Sequence, residues 1–219
     1  MNNVYSTDEA RSTLLGAAER HYDATAWAVV REALSDPLFP VTYFIRNTTV
    51  LMAEPGWAQL EPLAQADTLL DLLWERSRIF LEVREWLTGH EEGRQVITSC
   101  RENLEKPYHP IGYCNHCGGC CEIASGMPDF PSDSVVPDRW RMIFGMGLGR
   151  GHRFCAFLWE NGRVGGSLCS IHPWRSKPCR IFEQEECDFF KEDPNFGNLL
   201  NEHALMDACH RLVHLIDRG

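Results

Sequence analysis

Basic charge is what this sequence has little of. Its 21 Lys and Arg stand against 31 Asp and Glu, a formal net charge of -10 with a pI near 5.3. Nucleic acids and anionic membrane surfaces select a basic face, so neither is an expected partner. Long apolar runs are also missing. The best candidate, Val41 to Met52, is too short for a membrane span and is interrupted by Arg46. Met1 to Ala10 is polar and has no basic segment leading into an apolar one, so no secretory leader is expected. These absences make the cytoplasm the expected location. Internal repeats, coiled-coil heptads and low-complexity tracts are not found. Nor is there a P-loop, a carboxylate pair, a nucleophile with its base, or the cysteine spacing of radical SAM enzymes. Gly145, Gly147, Gly149 and Gly151 alternate without a leading strand, which suits a flap better than a nucleotide loop.

What the chain does have is enough apolar residue, 44%, to bury a real core. Residues 1–106 read as helical. Ser6 and Glu9 fit a capping box, followed by Leu15, Ala18, Tyr22, Ala26, Val29 and Ala33 at steps of three and four. Asp36-Pro37 ends that helix. Leu38 to Ala53 is rich in β-branched residues and is read as a short helix. Leu69, Leu70, Leu73, Trp74, Phe80, Leu81 and Leu87 predict a long helix stopped at Gly89. Glu91 to Leu104 predicts another. Asn198 to Asp217 predicts a last helix, with Leu205, Cys209, Leu212 and Ile216 on its apolar stripe.

The composition changes at Lys106-Pro107, and glycine, proline and cysteine dominate to about Pro194. Such chain needs a covalent or coordinate staple. Arg153 to Glu160 and Arg163 to Ile171 flank Asn161-Gly162, the signal of a two-residue hairpin. That turn sets Cys155 opposite Leu168. A bulge at Gly165-Gly166 would set it opposite Cys169. The expected fold is mainly α with a small irregular cysteine-rich metal-binding module containing a β-hairpin. The expected division is a helical region at 1–106, the module at 107–194, and at 195–219 a C-terminal helix packing on the helical region.

Ten cysteines are present, eight of them between Cys114 and Cys187. In a reducing cytosol this crowding points to metal or redox chemistry ahead of disulfides. Cys114, Cys117, Cys120 and Cys121 share one short loop whose two-residue spacings turn successive thiolates into one concavity. Gly118 and Gly119 let backbone N–H groups approach the sulfurs. Three such cysteines with a remote fourth build 4Fe–4S sites. Cys179, between Pro178 and Arg180, is the chosen fourth. Cys155 and Cys169, held together by the hairpin, are read as a pair acting with Cys121 and Cys187. A tetrathiolate zinc site remains open, because similar spacings build structural zinc sites. Either centre carries about two net negative charges, which Arg153, Arg163, Arg175 and Arg180 could balance. Lys177 is read as a surface residue. Cys100 and Cys209 fall in helices and are read as packing residues. His116, His152 and His172 are read as loop residues. His203, Asp207, His210 and His214 share one helix face, read as solvated rather than metal-binding.

The order Cys114-x-x-Cys117-x-x-Cys120-Cys121, then Cys155-Ala-Phe-Leu, Cys169-Ser-Ile-His, Cys179-Arg180 and Cys187 resembles the YkgJ-type CxxCxxCC cysteine-cluster family. That family is described as a zinc- or iron-chelating domain. The resemblance covers roughly residues 110–190 and implies that all eight cysteines are metal ligands. Where the family has Arg-Pro this chain reads Arg175-Ser176, with its proline at Pro178. The pattern also resembles the cysteine-rich part of flagellin lysine methylases, where an iron–sulfur cluster is implied.

The leading expectation is an iron–sulfur protein with a redox or electron-transfer role, such as an oxidoreductase component. Its partner would be a redox protein or a protein substrate. The alternatives are a zinc module for folding or interaction, and a protein-modifying enzyme with an iron–sulfur site. A gap between the cysteines and the helical region would favour the enzyme, and a fully enclosed tetrahedral site the zinc module.

Overall fold

The computed structural model describes residues 4–102, 118, 121, 129–132, 134–145, 155–161, 166–176, 179, 184–185, 188 and 202–219. Among these are seven α-helices and one two-stranded antiparallel hairpin, so the chain is mainly α. Two helices occupy the first amphipathic stretch where the sequence suggests one. α1 (Val4–His21) already runs at Val4, so Ser6 lies inside the helix and does not cap it. α2 (Ala24–Ser35) starts afresh at Asp23, whose carboxylate accepts from the Thr25 and Ala26 N–H groups at 2.8 and 2.9 Å. An aspartate cap satisfies two donors that a continuous helix would have satisfied internally, and the chain turns there.

α3 (Val41–Met52) confirms a helix in the β-branched segment. α4 (Pro62–Thr88) begins with proline, whose fixed φ suits the first turn, and ends at Gly89. α5 (Glu91–Glu102) follows at once. α6 (Asp138–Gly145) is short, and α7 (Glu202–Arg218) is the last. Leu205, Cys209, Leu212 and Ile216 of α7 are all buried, while His203, Asp207, His210 and His214 are exposed on its other side. α7 packs on α1, α3 and α4, and α4 also carries α2 and α5. No helix among the described residues is long and apolar enough to cross a membrane.

The hairpin differs from the two-residue turn expected at Asn161-Gly162. β1 (Leu158–Asn161) pairs with β2 (Gly166–Cys169) with Asn161 opposite Gly166 and Leu158 opposite Cys169. Asn161 therefore closes β1, and the link is the four residues 162–165, which lie outside the described residues. Cys155 precedes the strand and faces neither Leu168 nor Cys169 in the ladder. Burial sets this register. Leu158, Trp159, Glu160 and Asn161 are all at most 1% exposed, so both faces of β1 are covered. Strand register follows the buried pattern when that pattern conflicts with a turn signal.

Trp159 sits against Phe80 at 5.5 Å between ring centres, and Phe80 stands edge-on to Phe39 at 5.4 Å. Burying a ring of this size contributes about 2–3 kcal/mol. Trp140 of α6 stacks edge-on to Phe157 at 6.1 Å and covers the approach to β1. The core is continuous from α1–α5 through 155–159 to α7.

Candidate metal centre

Four of the eight clustered cysteines, Cys121, Cys155, Cys169 and Cys179, are described. Cys114, Cys117, Cys120 and Cys187 lie outside the described residues, as do Arg153, Arg163, Lys177, Arg180, His116 and His152. The described four gather at the base of the hairpin. The Cys155 N–H donates to the Cys121 carbonyl at 2.8 Å, which joins the CxxCxxCC loop to the segment entering β1. Cys169 ends β2. After the 3-10 turn His172–Trp174 the chain reaches Cys179, whose N–H donates to the Ser176 carbonyl at 3.0 Å.

Cys155 and Cys169 share a local geometry. The Phe157 N–H donates to the Cys155 sulfur at 3.4 Å, and the Ile171 N–H points at the Cys169 sulfur. In both arms the donor is two residues beyond the cysteine. Such donors stabilise a thiolate and lower its basicity toward a metal. The Ser170 N–H and hydroxyl both donate to the Phe157 carbonyl, at 3.0 and 3.1 Å, and hold the arms side by side.

The sulfurs of Cys155 and Cys179 lie within electrostatic reach of Cys169. Burial first, then those two sulfurs, pushes the Cys169 thiol well above its ordinary value; the Ile171 N–H and Arg175 pull the other way. Cys155 is buried and Cys169 and Cys179 are half-buried, so charging three such close sulfurs favours a cation among them. Among the described residues, no three Cys, His, Asp or Glu side chains form a closed group able to hold a metal ion. The residues nevertheless fit one chemically. They present thiols, N–H donors aimed at sulfur, and positive side chains close by.

Those positive side chains are where sequence reasoning fell short. Arg175 acts on Cys169, as its position suggested. Arg76 was not foreseen. It comes from the middle of α4, is 6% exposed, and directs its guanidinium at the Cys155 carbonyl at 3.4 Å. Burial lowers it to about 10, with Cys155 and Glu75 opposing that shift. The signal was present. Ala66, Leu69, Leu73, Phe80, Val83 and Leu87 form the buried stripe of α4, and Arg76 occupies the position midway along it. A charge in an apolar stripe marks a buried partner.

Gly118 lies against α3. Gly118 has φ of +76°, and a Cβ there would come within 2.3 Å of the Tyr43 ring. Tyr43 is fully buried on α3 and carries the Arg46 guanidinium over its ring at 4.9 Å. Glu160 of β1 ties that strand to α3. Its N–H donates to the Leu38 carbonyl at 2.9 Å, and its carboxylate accepts from the Thr42 N–H at 2.9 Å. Pro40 gives α3 no side-chain cap, so Glu160 supplies one from 118 residues away. Burial raises this carboxyl to about 7, against Thr42, Arg11 and Arg46. Among the described residues no donor reaches its second oxygen.

Cys100 and Cys209 are both buried, and burial pushes them up to about 11 and about 12. Cys209 donates to the Ala10 carbonyl at 3.6 Å, far along the sequence from the clustered cysteines. Cys100 and Cys169 both line a cavity of about 350 Å³ between α5 and the 169–174 segment.

No protein-family model, curated protein or solved structure matches the chain.

Proposed function

We propose that this protein binds metal through its clustered cysteines and that the centre is an iron–sulfur cluster with a redox or electron-transfer role. The observation that carries this reading is the gathering of Cys121, Cys155, Cys169 and Cys179 at the base of the hairpin, with N–H donors aimed at two of the sulfurs. Cys155, Cys169 and Cys179 would supply ligands together with Cys114, Cys117 and Cys120. Cys121 and Cys187 would complete the set. A bound cluster would supply one-electron chemistry.

The chain's own residues have separable tasks. The Phe157 and Ile171 N–H groups orient the sulfurs and draw off part of their charge. Arg76 and Arg175 balance the remainder. Tyr43 and Gly118 fix the loop against α3, while Trp140 and Phe157 keep water from the inner side.

Anaerobic purification followed by metal and acid-labile sulfide analysis tests the reading. Iron with sulfide and broad visible absorbance is the expected result. A colourless protein with stoichiometric zinc would replace it with the zinc module. Absence of both metals would end the metal reading.

A further inference from the structure

The cavity between α5 and the 169–174 segment has the size of a small-molecule site. We infer that it binds a compact organic cation, an apolar body carrying a protonated amine. Its volume of about 350 Å³ is within the range of ligand pockets. Val96, Cys100, Pro173 and Trp174 provide apolar walls, and Gln95, Ser99 and His172 interrupt them with polar groups. Most of the lining is therefore apolar with a few convergent polar atoms, the composition that orients a small ligand.

Charge selects the class. Glu92 is the carboxylate at the cavity wall, and it is exposed. Gln95 and Ser99 also line a separate, more open recess edged by Glu91, Glu102 and Arg94. Arg94 donates to the Thr88 carbonyl at 2.9 Å and keeps its charge, but the carboxylates of Glu91, Glu92 and Glu102 outnumber it. Nearby Arg101 turns away to Asp36 at 3.4 Å. The rim thus offers carboxylates to an incoming head group, and the apolar wall takes its body. A neutral ligand would forgo the rim, and an anion would be repelled by it.

Cys169 lies on the same wall. On the proposed reading of the centre, a ligand seated here stands directly against one of its sulfurs. This last step rests on that reading, whereas occupancy of the cavity does not.

The test titrates benzylamine, benzyl alcohol and benzoate into the full chain, prepared anaerobically, by ligand-observed NMR. Metal content is measured on the same sample. Benzylamine should saturate with a Kd on the order of 1 mM. Benzyl alcohol should bind about 5-fold or more weakly, and benzoate should not bind. Ser99→Trp, which fills the cavity, should abolish binding. Because that variant alters packing, Glu92→Lys serves as the second. It changes only an exposed rim charge and should exchange the preference for benzylamine for one for benzoate. Absence of saturable benzylamine binding, equal affinity for benzoate, or indifference to Glu92→Lys would overturn the inference. A metal-free sample that binds benzylamine would refute the centre and leave the cavity site standing. A metal-loaded sample that ignores benzylamine would do the reverse.

Discussion

Gly118 is the residue on which the seating of the cysteine loop turns. Its backbone occupies the left-handed region, and the space beside its α-carbon belongs to Tyr43. Gly118→Ala meets both a conformational cost and an overlap with a buried ring. Together these are worth about 2–4 kcal/mol. The variant should unfold at lower urea concentration and retain less metal. A Gly118→Ala protein with full stability and metal content would show that the loop does not depend on this contact. Arg76 supports a different kind of experiment, because its value depends on what lies beside it. Next to a negatively charged centre, Arg76→Met should destabilise the loaded protein by about 3 kcal/mol, as loss of one partner of a buried pair does. In the metal-stripped protein, where Arg76 keeps its bond to the Cys155 carbonyl, the same substitution should cost clearly less. Equal losses in both forms, measured by denaturant titration, would mean that Arg76 answers to something other than the centre.

β1 behaves less like half of a hairpin than like a core element borrowed by the helices. Its Glu160 caps α3, and its Trp159 fills the space before Phe80. The carboxyl of Glu160 has a folded value of about 7, above its ordinary 4.5. Protonation therefore favours the folded state. The stability it contributes is complete below about pH 4.5 and is lost as the pH rises through 7. The drop is on the order of 3 kcal/mol. Glu160→Gln keeps an acceptor for the Thr42 N–H and cannot ionise. Compared with wild type across pH 5–8, it should show a flatter stability profile and gain relative stability toward pH 8. Parallel profiles would refute the role given to Glu160. The helices themselves were readable because their apolar residues recur at helical spacing, as the fully buried Leu205–Cys209–Leu212–Ile216 stripe shows. The break at Asp23 and the register of β1 were not. The first depends on a single cap inside an otherwise unbroken pattern. The second depends on residues as distant as Leu38 and Thr42, which a local turn signal cannot include. Within the described part of the candidate site, local spacing singled out Cys121, Cys155, Cys169 and Cys179, whereas Arg76 and Tyr43 come beside them only through tertiary packing.

At the scale of the whole molecule, the core does not stop where the cysteine-rich composition begins. Phe157, Leu158 and Trp159 belong to the same apolar cluster as α1–α5 and α7. Chelation should therefore act unevenly within the cysteine-rich segment. Amides near 118–121 and 169–179 should lose hydrogen-exchange protection, whereas 157–160 should stay protected with the helices. Loss of protection at 157–160 in step with 118–121 would mean that metal, rather than apolar burial, holds the strand. The packing of α7 on α1 has a consequence for how the chain is made. About 180 residues separate His21 from Glu202, yet these helices meet, and Arg20 reaches Asp217 at 2.8 Å. At about 5–20 residues per second of synthesis, the apolar side of α1 waits on the order of 10–40 s for its cover. Until α7 emerges from the ribosome, that side is available to chaperones and to other nascent chains.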